Sequence, residues 1–213
     1  MLSGHIAQMG RDVNFGGFHS VLGVVWGDTM LHFIALLLAL VGLSACASHP
    51  PTDTAAAYLA AQASLQAVVL SPEQEADAVL RFKNFYKEVT DSSVRDQIAG
   101  LYADNVWFND SLKTLYGRAA VKGYFLKTLE HVEVFQTVVE DVARSGSNYY
   151  VRWTMDVQFK GSKETIRTIG ISHLCFDRNG HVILHQDFWD STSGFFEHLP
   201  VIGGAIRWVK SLL

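Results

Sequence analysis

Cysteine is nearly absent: Cys46 and Cys175 are the only two in 213 residues. A disulfide framework and a cysteine-built zinc site are thereby excluded. No CxxC, HExxH or glycine-rich phosphate loop occurs, so metal and nucleotide chemistry have no sequence basis, and neither cofactor nor metal is expected. Charge is sparse, with 17 Lys and Arg against 21 Asp and Glu and a net charge of −4. The cations form no stripe, which removes nucleic acid from the expected partners. The one extended apolar run, residues 33–47, is 15 residues long, short of the ~20 that a bilayer-spanning helix needs. What is present is 49% hydrophobic residues, enough for a real core of one domain with an appendage.

The apolar run suits the central region of a secretory signal. It ends in Leu43-Ser44-Ala45-Cys46, which resembles the bacterial lipobox. That resemblance implies cleavage before Cys46, a lipid on its thiol, and a mature protein held on the cell-envelope membrane facing the periplasm. An uncleaved single transmembrane anchor is the other reading of the same run. Residues 1–29 read as a doubtful leader ahead of a start at Met30, 30–45 as the signal, 46–70 as a tether with a weak Ala-rich helix, and 71–213 as the working domain. With Cys46 lipidated, Cys175 has no disulfide partner and is expected to fill a strand as a small hydrophobe.

Ser71-Pro72-Glu73 carries the signals of a helix start, followed by Val79, Phe82, Phe85, Tyr86 and Val89 at helical spacing. A second helix follows Asp91, with Val94, Ile98, Leu101 and Tyr102 as its stripe, and a third follows Gly117, with Val121, Tyr124, Phe125 and Leu129. "NVWFND" reads as a short strand between them. From Val132 the pattern turns to period two, in four strands separated by Ser-Gly-Ser, Lys-Gly-Ser and Asp-Arg-Asn-Gly turns. The expectation is an α+β domain of three helices on a curved, mainly antiparallel sheet with a C-terminal helical tail.

The combination "LYADNVWFND…YGRAAVKGYF" with the closing "FDRNGHVILHQDFWD" resembles the nuclear transport factor 2-like superfamily over residues 73–213. That superfamily has a cone-like fold and includes ketosteroid isomerases, SnoaL-like polyketide cyclases, limonene epoxide hydrolase and scytalone dehydratase.

In "HQDFWD", strand alternation puts His185, Asp187 and Trp189 on one face. A simple register across the Asp-Arg-Asn-Gly turn pairs Ser172 with His185 and Gly170 with Asp187. Thr168 joins them to complete a polar strip with a glycine gap, room for a ligand or for a closely packed backbone. The resemblance implies that Tyr86 stands at the oxyanion tyrosine of the isomerases, Asp110 at their general-base acid, and Trp189 on the pocket wall. Ser172 stands where their second oxyanion acid sits, so steroid isomerisation itself is not implied. An Asp and a His in such a cavity is instead the equipment of SnoaL-like cyclases. Poor solvation of a carboxylate among aromatic rings favours a base active near neutrality, and His185 is placed to tune it. The expected function is cofactor-independent isomerase, cyclase or hydrolyase chemistry on a small apolar or polycyclic ligand. A non-catalytic ligand-binding or protein-interaction domain stands beside it, as do a turn role for Asp110, a core role for Tyr86, and a buried structural bond between Asp187 and His185. Asp190 is expected to be a solvated or a capping residue ahead of the tail. The tail itself reads as a pocket lid, a membrane contact or, preferably, a packing element. Sheet-face dimers are frequent in the superfamily, which leaves a homodimer as one open state for this chain.

Overall fold

In the computed structural model, which describes residues 53–199 and 201–213, the chain ahead of Ser71 already has structure. Residues 1–52, with the leader, the signal and Cys46, lie outside the described residues. Helix α1 (Thr54–Ser64) is capped by Asp53, whose side chain accepts from the Ala56 N–H at 2.9 Å. Tyr58, Ala61, Leu65 and Ala67 pack on Ala103, Trp107, Cys175, Ile183 and Leu184. Val68 N–H then donates to Phe176 O at 3.2 Å, and Leu70 is buried. The expected tether is thus, from Asp53 onward, part of the folded unit. Its alanines are the strongest helix formers, and the stripe at 58, 61 and 65 is real but made of few large groups.

Helix α2 (Pro72–Lys87) starts in a capping box in which Ser71 Oγ accepts from Gln74 N–H while Gln74 Oε1 accepts from Ser71 N–H. It buries Ala78, Phe82, Phe85 and Tyr86. Helix α3 (Asp91–Leu101) is capped by Thr90 and runs directly into strand β1 (Tyr102–Asn109). Tyr102, expected as the last residue of the helical stripe, is therefore the first residue of a strand. A short strand β2 (Thr114–Tyr116), not anticipated, leads to Gly117 and helix α4 (Arg118–Leu129). Gly117 has φ 84°, and a Cβ there would lie 3.2 Å from Asp104 O, so glycine is required on two counts.

Strands β3 (Val132–Ser145), β4 (Asn148–Phe159), β5 (Thr165–Phe176) and β6 (Val182–Trp189) form the expected antiparallel meander. The whole sheet has the order β2-β1-β6-β5-β4-β3, antiparallel except where β1 runs parallel to β6. The fold is α+β, with three helices over one face of a curved, unclosed six-stranded sheet, as expected. α1 covers part of the other face.

The register of β5 and β6 differs from the simple one. Ser172 pairs with Asp187, Gly170 with Trp189, and Leu174 with His185. Two single-residue offsets add up. The turn includes His181, whose carbonyl accepts from Asp177 N–H at 2.9 Å. An irregularity between Cys175 and Phe176 then leaves Ile183 over on β6. A shift of two keeps every side chain on its face, so the strip survives with altered partners.

After β6, Asp190 caps helix α5 (Ser191–Gly194), a 3-10 turn spans Phe196–His198, and helix α6 (Ile202–Lys210) ends the tail. No helix among the described residues is long and apolar enough to cross a membrane.

Candidate functional site

The inner face of the sheet, helices α2 and α4 and the tail enclose a cavity of about 570 Å³. Its walls are mainly aromatic, with Phe82, Phe108, Phe125, Phe135, Trp153 and Trp189 among them. His185, almost wholly buried, is ringed by Phe82, Tyr86, Tyr102 and Phe108 at centroid distances between 4.9 and 5.9 Å.

A line of hydrogen bonds crosses this apolar interior. Tyr86 Oη lies 2.6 Å from Tyr102 Oη, which lies 2.7 Å from His185 Nδ1, and His185 Nε2 lies 2.7 Å from Asp187 Oδ1. Ser172 Oγ donates to the same carboxylate oxygen at 2.5 Å and accepts from Trp153 Nε1–H at 2.9 Å. Chemistry fixes the direction. A carboxylate at Asp187 only accepts, so Nε2 carries the imidazole proton, Nδ1 accepts from Tyr102, and Tyr102 accepts from Tyr86. Burial pushes the pKa of both phenols well above the ordinary range, so both keep their protons. Tyr86 and Ser172, expected as oxyanion donors, both direct their protons inward along this network while Asp187 is a carboxylate. Oδ2 of Asp187, by contrast, forms no hydrogen bond among the described residues, and Asp187 lines the cavity.

Asp110 also lines the cavity, but its oxygens are engaged. Oδ1 accepts from Leu112 N–H at 3.0 Å and Lys113 N–H at 2.8 Å, and Oδ2 from Tyr124 Oη at 2.5 Å. Burial raises its pKa; the Tyr124 bond opposes this, while the charge of Asp187 adds to it. The geometry is that of a braced turn at the end of β1. Trp189 closes the same corner by donating its indole N–H to Asp110 O at 2.7 Å.

Gly170 and Thr168 stand outside the cavity lining. The glycine gap is filled by protein: a Cβ at Gly170 would collide with the Trp153 ring and come within 2.9 Å of Trp189 Cβ. Thr168 sits under Gly194 of the tail, whose Gly194, Phe195 and Leu199 close one side of the cavity. Among the described residues no three His, Cys, Asp or Glu side chains are grouped to hold a metal ion.

The family model of the SnoaL-like domain matches residues 82–185. These residues are a SnoaL-like domain. The match takes in Tyr86, Tyr102, Trp153, Ser172 and His185, and stops two residues short of Asp187. Solved structures similar to the chain include a Catenulispora acidiphila protein of ketosteroid isomerase-like fold in complex with trimethylamine. It is 16% identical, with 55% of this chain and 88% of that one covered and a TM-score of 0.49. An LEH-like epoxide hydrolase of M. tuberculosis is 14% identical, with coverage of 66% and 95% and a TM-score of 0.49. A Shewanella denitrificans protein assigned as a SnoaL-like polyketide cyclase is 15% identical, with coverage of 58% and 94% and a TM-score of 0.48. No curated protein matches the sequence.

Three polar members of the SnoaL-like domain's site escaped the sequence: Tyr102, Trp153 and Tyr124. Trp153 alone had a usable signal, since it alternates in β4 with the inward-facing Tyr149 and Val151. Tyr124 was read as helix stripe and does pack there, with its hydroxyl extending to Asp110.

Proposed function

We propose that the domain is a cofactor-independent enzyme that moves a proton next to a carbonyl group of a small, largely apolar ligand, with Asp187 as the base. The observation that carries this reading is the asymmetry of the Asp187 carboxylate. One oxygen is held by His185 and Ser172, and the other has no partner among the described residues and belongs to the cavity. A held carboxylate with one free oxygen is oriented for abstraction, and the aromatic surroundings keep competing water away.

The same network holds the base through the second half of the reaction. The substrate proton arrives on Oδ2, while Oδ1 goes on accepting from His185 Nε2–H and Ser172 Oγ–H, so the acid keeps its orientation. Return of that proton from Oδ2 to another carbon of the substrate completes an isomerisation. Ring closure and dehydration share the first step.

The test is deuterium incorporation next to the carbonyl of cyclic ketones and enones incubated with the full chain in D2O. Asp187→Asn should lower incorporation at least ~100-fold with the ketone still bound. Undiminished incorporation in the variant sinks the assignment. Ketones that bind with no incorporation by the unsubstituted protein would support the binding-domain reading instead.

We also propose that the protein is held at the cell envelope by a lipid on Cys46. Metabolic labelling with a fatty-acid analogue should label the chain and lose that label in Cys46→Ser, and a labelled Cys46→Ser protein contradicts the proposal.

A further inference from the structure

The polar groups of the cavity are segregated by sign. Asp110 and Asp187, the acids of its lining, lie inward. Lys113, Lys127 and His131, also of its lining, are all exposed and belong to its rim. None of these three basic side chains forms an ion pair among the described residues. The Lys113 ammonium lies 5.8 Å from the ring centre of Tyr124. Tyr124 stands one turn before Lys127 and Thr128 on α4, and His131 follows the end of that helix, so both lysines and His131 gather about its second half. The arginine and lysine of the tail are engaged elsewhere: Arg207 with Glu197 O, and Lys210 with Glu197 and Ser193.

We infer that the ligand is an anionic amphiphile, with an apolar, ring-bearing body between the aromatic walls and a carboxylate or comparable acidic group held outside by Lys113, Lys127 and His131. The proposal rests on the cavity being a ligand site, as the proposed function has it, and it adds the ligand's charge and direction. Direction follows from repulsion as well as attraction. An acidic group driven inward meets Asp110 and Asp187 in a medium of low dielectric, whereas at the rim it meets two ammonium groups. The acidic end therefore stays out, and the far end of the body is delivered to the free oxygen of Asp187. This assigns Lys113 and Lys127 as binding and orienting residues, not as catalytic ones.

The probes are 2-naphthoate and 2-naphthalenemethanol, which share an aromatic body and differ in the charge of the end group. Both are titrated calorimetrically into the full chain at pH 7.5, in low and in high salt. The naphthoate should bind about tenfold more tightly at low salt, with that preference shrinking as salt is raised. The alcohol should displace the naphthoate, which places both in one site. In the double variant Lys113→Met, Lys127→Met the affinity for the alcohol should be unchanged and the preference for the acid lost; methionine keeps the length of the apolar stem at these exposed positions, so folding is not at stake. Equal affinity for the two probes, a preference that survives the double substitution, or naphthoate that the alcohol does not displace each overturns the anionic-amphiphile proposal and leaves the cavity as a ligand site. Failure of both probes to bind overturns the ligand-site reading along with it.

Discussion

Tyr102 joins the two halves of the hydrogen-bonded line, with Tyr86 on one side and His185 on the other. Replacing it by Phe leaves a phenol and an imidazole nitrogen without partners in a site where both are buried, at a cost of about 1–3 kcal/mol. Tyr102→Phe should therefore unfold at lower urea concentration. It should still bind ketone, and it should lose at least about tenfold in deuterium incorporation, because the imidazole that holds Asp187 is no longer fixed from its other side. Full incorporation in a destabilised variant would reduce the line to a structural brace. The sequence made His185 and Asp187 legible, since strand alternation alone puts them on one face. It could not make Tyr102 legible, because its partner is 83 residues away and periodicity carries no information over that distance. The donor directions of Tyr86 and Ser172 were illegible for a related reason: a donor's direction depends on what the next group accepts, and that chain of dependence ends at Asp187.

At the scale of elements, α1 is fastened to the outer face of the sheet by a polar contact within an otherwise apolar patch. Tyr58 Oη lies 2.8 Å from His173 Nδ1, and His173 Nε2 lies 2.8 Å from Asn148 Oδ1, with Cys175 Sγ at 3.6 Å and the Tyr150 ring stacked at 5.1 Å. Burial holds the His173 pKa below its ordinary 6.5. The unfolded chain then takes up this proton first as pH falls, so the stabilisation is complete above about pH 6.5 and is lost on the acid side as pH drops towards the folded-state value. Hydrogen exchange of the α1 amides, corrected for the intrinsic rate, should accelerate relative to the α2 amides between pH 7 and pH 5, and His173→Gln should flatten that dependence. Equal protection of α1 at both pH values contradicts the role given to His173. α2 was readable where α1 was not. Ser71, Pro72 and Gln74 announce a start with specific chemistry, whereas alanines announce only a helix and not what it packs on. The β5–β6 pair shows the same division: the face of each residue followed from alternation, but the partner did not, because an added turn residue and an added strand residue leave no mark in the hydrophobic pattern.

For the molecule as a whole, the sheet separates two histidine clusters. His185 lies within the cavity face under α2, and His173 lies on the outer face under α1. The meander β3 to β6 is built from neighbours in sequence, but β1 reaches β6 as a parallel partner. A parallel pair cannot close as a hairpin, and the entropy of its long loop is lost before any contact compensates. Local strands and helices should therefore assemble ahead of it, an order that pulse-labelled hydrogen exchange during refolding would check. Because Tyr102 enters on β1 while His185 and Asp187 enter on β6, the line of hydrogen bonds is completed only with that last pairing. A molecule arrested one step from native would be ordered by most spectroscopic measures and inert, with its aromatic wall open to solvent and to its neighbours.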